Sequence, residues 1–425
     1  MKNGKYQNFW KTFGPGIMFA GTCIGGSHLV QSTKAGAFYG FGLLSIVLIA
    51  NLFKYPFLEF ASRYTNATGT SIIEGYKKMG KWVLILFLIT TLISMFIITT
   101  AIVTVTGGLA NNLTNETIDA KLWPLIIFTV VFILLAYGRF NILDLVIKGI
   151  GLLLVATVLI AFFSVIFTLP APSNYQSTYI VLSNLTNGDL LFIVALMGWM
   201  PIAIDMSAWH SLWTQERIKQ TGYFPKLKET LLDFNIGYII TVVLAICFVT
   251  IGAYVLYENQ SYPVEAIRKM KGIGFSKMLV DVFVIAVGEW SKPIIAIATF
   301  ATMFGTSITL IDGYSRSIER TIGLLRSDAD KIEFSKKHYL VWVTILVTGS
   351  YFIFLNFVTN LGGIVNVAMA LSFILAPLFA VLNFKMIYNK EVEEKFHPPQ
   401  WLKYLAILGV LFLTGFTVLY LSTSF

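Results

Sequence analysis

Two polar stretches inside long apolar runs carry the side chains of this sequence that could do chemistry. The first, TCIGGSHLV at residues 22–30, puts a cysteine, a serine and a histidine beside two adjacent glycines. The second, MGWMPIAIDMSAWHS at residues 197–211, contains a proline, an aspartate and a histidine. Imidazole and carboxylate groups ligate transition metals, and a carboxylate at membrane depth indicates a functional site by default. The two stretches therefore indicate a binding site between two segments of the chain.

The candidate substrate-binding residues are those of the two stretches that could contact a solute: Cys23, Gly25, Gly26, Ser27, His28, Met200, Pro201 and Asp205. His28 and Asp205 form the one His–carboxylate pair placed at both interruptions, so they are the predicted metal ligands. The candidates for coupling or charge pairing are Lys54, Asp205, His210 and Asp312. An unpaired lysine in the middle of a span costs roughly 3 kcal/mol, so Lys54 is expected to point into the bundle. Plain hydrogen bonding by His28 and Asp205 is the alternative.

The composition indicates that membrane helices must position these residues. Of 425 residues, 56% are hydrophobic and 12% are charged, and the mean hydropathy is +0.75. A soluble domain carries about 25% charged residues. The apolar runs are continuous rather than alternating, which excludes a transmembrane β-barrel. The formal charge of +9 is explained by basic loops, so no nucleic-acid partner is expected.

Apolar runs predict an all-α polytopic membrane protein with eleven transmembrane helices, at residues 13–36, 40–62, 82–106, 122–138, 146–168, 189–212, 232–256, 291–313, 339–357, 361–386 and 402–422. The segment 258–290 is predicted to be an external interfacial or re-entrant helix. Most lysines and arginines fall in loops on one side of the bilayer. The expected location is therefore a bacterial plasma membrane, with the N-terminus cytoplasmic and the C-terminus outside.

The two interruptions fall in span 1 and span 6, five spans apart. Interrupted helices at corresponding positions of two halves are typical of inverted-repeat transporters. The chain is therefore predicted to be one domain, residues 1–425, with repeats at about 11–170 and 189–386 and an additional helix at about 402–422. Spans 1 and 6 are expected to be non-helical around residues 25–27 and 200–204 and to face each other. For the glycines, close helix packing is the alternative.

Several motifs in the sequence resemble the Nramp family of divalent metal transporters. They are GPG at residues 14–16, KAGA at 34–37, YGF at 39–41, LIAN at 48–51, HS at 210–211 and TSITLIDGYSRSI at 306–318. The resemblance covers nearly the whole chain in span count and spacing. It implies a LeuT-like 5+5 inverted-repeat fold and proton-coupled import, a symport, of Mn²⁺ or Fe²⁺.

The sequence departs from this family where family members bind metal and move protons. Nramp proteins carry Asp-Pro-Gly-Asn at the span 1 break, whereas this sequence reads GGSH at residues 25–28. The Met-Pro-His motif of span 6 aligns either with residues 200–202 or with residues 203–205. The two span 3 acids of the family are replaced, at the best-matching positions, by Ile93 and Phe96. The usual ligands and proton route are therefore missing.

The predicted function is secondary transport of a divalent metal cation by alternating access. The alternative is a carrier of an organic or amino-acid-like solute on the same fold. No cofactor is expected, because a metal would be the substrate, and the coupling ion is a proton or another ion. An intramembrane hydrolase is disfavoured, because neighbouring serine and histidine side chains diverge by about 100° on a helix. The sequence also has no nucleophile elbow or HExxH motif. The oligomeric state is not specified by the sequence.

Overall fold

The computed structural model describes residues 10–137, 140–172, 186–257, 263–270, 272–327, 333–357 and 361–424. Within these ranges the secondary structure is helical, without strands, as predicted. The helices that correspond to the predicted spans are, in chain order, Pro15–Cys23 with Ile24–Ser32 and Thr33–Tyr39 (span 1), Leu44–Thr68 (span 2), Lys81–Leu113 (span 3), Trp123–Tyr137 (span 4), Phe140–Thr168 (span 5), Asn187–Trp199 with Ser207–Thr221 (span 6), Leu227–Val255 (span 7), Lys292–Arg326 (span 8), Lys336–Phe357 (span 9), Leu361–Ile387 (span 10) and Gln400–Ser424 (span 11).

Nine helices of the described ranges are long and apolar enough to cross a bilayer. The two other predicted spans differ from them in form. Span 1 is divided into three helical pieces, and span 4 has 15 residues. The all-helical membrane architecture is confirmed, and the number of eleven spans stays a prediction.

The segment between spans 7 and 8 contains two helices, Val264–Lys269 and Gly272–Val287. The second is amphipathic in sequence, but it packs on the bundle. The Ser276 hydroxyl donates to the Val105 carbonyl of span 3 at 2.9 Å, and the Phe283 ring lies 5.9 Å from that of Phe248 in span 7. This helix therefore contributes to the packed interior.

Span 1 is interrupted by a π-helix, Ile24–Ser32, and not by an unwound segment. The prediction of non-helical backbone around residues 25–27 is therefore wrong. In a π-helix each backbone hydrogen bond spans one more residue than in an α-helix, and such segments often occur at functional sites. A Cβ atom on Gly25 would lie 2.4 Å from Oγ1 of Thr306 in span 8. Close packing, the alternative reading of this glycine, is what the structure shows.

Glycines bring the backbones of spans 1 and 7 into contact on both sides of the π-helix, at Gly16 before it and at Thr33 after it. A Cβ atom on Gly16 would lie 2.0 Å from the Asp233 carbonyl oxygen, and one on Gly252 would lie 2.3 Å from that of Thr33. The Asp233 carboxylate also accepts hydrogen bonds from the amides of Gly14, at 2.9 Å, and Gly16, at 2.7 Å. It thereby satisfies amides at the start of span 1 that have no helical partner.

Candidate functional site

Span 6 is broken at residues 200–203. The helix Asn187–Trp199 ends before Met200, whose backbone is extended with φ −93° and ψ 116°. The Met200–Pro201 peptide bond is cis. The chain then forms a short 3₁₀ turn, Ile204–Met206, and becomes α-helical again at Ser207. The predicted break in span 6 is therefore confirmed for residues 200–203, because proline cannot donate a helical hydrogen bond.

The two interruptions face each other, as predicted. The hydroxyl of Ser27, in the π-helix of span 1, lies 2.8 Å from the carbonyl oxygen of Pro201. A Cβ atom on Gly26 would lie 3.3 Å from the ring of Trp199, the last residue before the break. Non-helical backbone at membrane depth is tolerated where protein or a cavity surrounds it, and span 1 supplies part of those surroundings.

His28 is fully buried and its ring is held by backbone carbonyls and a hydroxyl. Nε2 lies 2.8 Å from the Thr241 carbonyl of span 7, to which it can only donate. Nδ1 lies 2.6 Å from the Ser27 hydroxyl and 2.9 Å from the Cys23 carbonyl. Both nitrogens are therefore occupied, and the predicted His28–Asp205 metal pair is not formed in this conformation.

Lys54 of span 2 points into the bundle, as expected, and is 0% exposed. Its ammonium donates to the carbonyl of Gly198 at 2.7 Å and to that of Ile202 at 3.0 Å. These carbonyls lie on the two sides of Met200. In the described part of the chain no ion pair joins Lys54 to Asp205, although the two charges are close enough to interact. The lysine therefore binds the backbone of the break.

Asp205, in the 3₁₀ turn after the break, faces a cavity between spans 3, 6 and 10. The cavity has a volume of about 10 Å³, room for about one water molecule. No described side chain makes a hydrogen bond or ion pair with the Asp205 carboxylate. The cavity is lined by Thr90, Ile93, Ser94, Asp205, Ala368, Leu371, Ser372 and Leu375.

Three hydroxyl residues of this cavity were missed by the sequence analysis. Thr90 donates its proton to the Phe87 carbonyl at 2.9 Å, and Ser372 donates to the Ala368 carbonyl at 3.1 Å. Ser94 lies 3.3 Å from the hydroxyl of Tyr314 in span 8. Donation to the helix backbone leaves the hydroxyl oxygens able to accept or to coordinate. No sequence signal distinguishes these residues, because such backbone-bonded hydroxyls occur throughout helices.

The remaining candidates lie in other networks. Nδ1 of His210 is 2.9 Å from the Ser62 hydroxyl, and its Nε2 is 3.9 Å from the Asp233 carboxylate. Asp312 is fully buried and accepts hydrogen bonds from three side chains, namely Trp213 at 2.9 Å, Tyr339 at 2.8 Å and Arg316 at 2.8 Å. Cys23 and Met200 are buried in the core. None of these four residues lines the Asp205 cavity.

Comparison with known proteins extends along nearly the whole chain. The family profile described as natural resistance-associated macrophage protein-like (Nramp) matches residues 16–423. An uncharacterized protein of Pasteurella multocida (strain Pm70) is 31% identical over 99% of this chain and 94% of its own length.

Solved structures show the same fold at low sequence identity. A manganese transporter of Eremococcus coleocola, in complex with an aromatic bis-isothiourea compound, superposes with a TM-score of 0.70 at 17% identity, covering 98% of this chain and 87% of that one. A nucleobase-cation-symport-1 family transporter, closed with bromovinylhydantoin bound, gives a TM-score of 0.58 at 12% identity over 97% and 93% of the two chains. The fold is therefore the LeuT-like transporter fold.

Proposed function

Because this chain belongs to the Nramp family of membrane transporters, we propose that it moves a divalent metal cation across the membrane by alternating access. One observation carries the proposal. The carboxylate of Asp205 lies at the span 6 break, faces a cavity, and has no side-chain partner among the described residues. A carboxylate at membrane depth that faces a cavity is a functional site by default, so Asp205 is assigned as the charged ligand of the cation.

The donors around Asp205 indicate the class of cation. The cavity offers oxygen atoms from one carboxylate and from the hydroxyls of Thr90, Ser94 and Ser372. Oxygen ligands suit Mg²⁺ and Mn²⁺, whereas softer ions prefer imidazole and thiolate. His28 and Cys23 are engaged in the packing of span 1. An oxygen-preferring cation such as Mn²⁺ is therefore the proposed substrate, in line with the manganese transporter that shares the fold.

Ion pairs join neighbouring elements at both ends of the bundle in this conformation. At one end Arg268 contacts Asp189, the third residue of span 6, at 2.8 Å. At the other end Arg320 of span 8 contacts Glu74 at 2.5 Å. Because the Asp205 cavity has room for about one water molecule, it suits an occluded state, and a hydrated cation would enter only after the cavity opens and enlarges.

We also propose the orientation and the location that the basic loops predict. The N-terminus and the Arg320 end lie in the cytoplasm, and the Arg268 end and the C-terminus lie outside. The membrane is a bacterial plasma membrane, and the two halves form the proposed inverted repeats. Labelling of single cysteines placed at residue 119 and at residue 337 with a membrane-impermeant maleimide tests this orientation. Residue 119 is expected to react in intact cells, and residue 337 only after lysis.

A second candidate is transport of a small organic solute. The described ranges contain no group of three or more His, Cys, Asp and Glu residues that could hold a metal ion. The nucleobase-cation-symport-1 family transporter that shares the fold holds an organic molecule, bromovinylhydantoin. Under this alternative, Asp205 would bind the cationic part of the solute and the hydroxyls its polar groups. The cavity would have to enlarge far more than for a metal ion.

Calorimetric titration of the purified protein separates the two candidates. Wild type is titrated with Mn²⁺, Mg²⁺ and a panel of amino acids, beside Asp205→Asn. The expected result is saturable Mn²⁺ binding that Asp205→Asn weakens by at least about tenfold, because a charged ligand is lost. Binding should also weaken as the pH falls, since protons compete for the carboxylate.

Asp119→Asn provides the matched control. Its carboxylate lies on an exposed turn, where it accepts from the Lys121 amide at 2.9 Å, so Mn²⁺ binding should stay unchanged. Wild-type protein that binds an amino acid and no divalent metal would contradict the metal proposal and support the organic one.

A further inference from the structure

Lys54 has an unusual environment for a lysine in a membrane span. It is 0% exposed, and no carboxylate of the described residues forms an ion pair with it. Its hydrogen-bond partners are two backbone carbonyl oxygens, those of Gly198 and Ile202. Neutral carbonyl oxygens are also the groups with which proteins bind cations from solution. The buried Lys54 ammonium therefore has the same kind of ligands as a bound inorganic cation.

The break in span 6 creates this pair of carbonyls. In a continuous helix, the Gly198 carbonyl would accept from the amide of residue 202, and the Ile202 carbonyl from that of residue 206. The chain leaves the helix at Met200, and the Met206 amide donates instead to the carbonyl of Ala203 at 3.1 Å. Both carbonyls are thereby available, and the half-helix that ends at Trp199 directs the negative end of its dipole to the same point.

We propose that the Gly198 and Ile202 carbonyls form a monovalent cation site, and that the chain fills this site with its own Lys54 ammonium. The Lys54 ammonium thus occupies the position beside the two carbonyls that a cation from solution would otherwise occupy. The proposal does not depend on the solute that is carried, because these carbonyls are distinct from the residues that line the Asp205 cavity.

Chemical rescue of Lys54→Ala tests the site. The substitution removes the side-chain amine and leaves space beside both carbonyls. Thermal unfolding of the purified variant is measured in tetramethylammonium chloride and in methylammonium chloride at equal concentration. Methylammonium has N–H groups that can donate to both carbonyls, and tetramethylammonium has the charge but no donor. The variant should melt several degrees higher in methylammonium, whereas wild type should melt at the same temperature in both salts.

Two matched variants separate this effect from a general effect of salt. Lys54→Met fills the same space with an apolar chain, so methylammonium should not stabilise it. Lys34→Ala removes a lysine from span 1 whose ammonium lies 4.4 Å from the ring of Phe275, a contact that small amines are not expected to restore. If methylammonium fails to stabilise Lys54→Ala, or stabilises all variants equally, the proposal is wrong.

Hydrogen exchange covers the case in which Lys54→Ala cannot be purified in any salt. In Lys54→Met, the amides of residue 200 and residues 202–206 should exchange at least about tenfold faster than in Lys34→Met, because the break has lost its hydrogen bonds to span 2. Equal exchange rates in the two variants would show that the ammonium does not hold the break, and would overturn the proposal.

Discussion

Replacing Gly25 with alanine tests whether the first glycine of the GG pair serves packing or solute binding. The new Cβ would lie 2.4 Å from Oγ1 of Thr306 and 2.7 Å from its Cβ. Thr306 is held in place, because its hydroxyl donates to the Gly21 carbonyl at 2.8 Å. Overpacking costs about 1–3 kcal/mol, and the better helix propensity of alanine offsets up to about 1 kcal/mol of this. Contacts as short as 2.4 Å with a fixed side chain put the overpacking cost near the upper end of this range, so the expected net loss of unfolding free energy is about 2 kcal/mol.

Unfolding by SDS in mixed micelles, followed by tryptophan fluorescence, measures this loss. Gly26→Ala is the matched control, because its nearest neighbour is the end of the Ile102 side chain at 3.0 Å, which can move. Its unfolding free energy should stay within about 0.5 kcal/mol of wild type. The double variant Gly25→Ala/Thr306→Ala should recover part of the loss, since Oγ1 and Cγ2 of residue 306 are gone while its Cβ, at 2.7 Å, remains. If Gly25→Ala is as stable as wild type and the double variant gains nothing, the packing argument fails.

Three further substitutions have defined outcomes in the same unfolding assay. Asp312→Asn leaves the Arg316 guanidinium without its buried carboxylate and should lower the free energy of unfolding by about 3–5 kcal/mol. A smaller loss than that of Gly25→Ala would contradict this expectation. Gly198→Ala would place a Cβ 2.3 Å from a span 10 carbonyl oxygen and should cost about 1–3 kcal/mol; a neutral effect would show that spans 6 and 10 separate easily. Arg268→Ala breaks the partly exposed pair with Asp189 and should cost at most about 1 kcal/mol, a loss that disappears in 1 M salt; persistence of the loss would indicate packing instead.

Features that depend on one or two neighbouring residues could be predicted from the sequence. Pro201 cannot donate a helical hydrogen bond, so the break in span 6 follows from its chemistry at any depth. Lys54 is too costly to leave unpaired in the middle of a span, which was sufficient to predict its inward orientation. The long apolar runs and the family motifs predicted the transporter fold.

Features that depend on packing between distant segments could not be predicted. Two adjacent glycines are compatible with an unwound segment, a π-helix or a close helix contact, and Thr306, which makes Gly25 necessary, lies in span 8. His28 resembles a metal ligand until the Thr241 carbonyl of span 7 is placed beside it. The hydroxyls around Asp205 come from spans 3 and 10, and their convergence depends on the complete fold.

The glycine contacts between spans 1 and 7 limit which parts of the bundle can move independently. Their backbones touch at Gly16 and again at Gly252, and the Asp233 carboxylate holds the first amides of span 1. Tilting span 1 alone would separate both contacts, so we expect the two spans to move together. Span 6 differs, because residues 200–203 divide it into two half-helices that can change their mutual angle without breaking an α-helical turn. We therefore expect the Asp205 cavity to open when one half of span 6 moves while spans 1 and 7 stay in place.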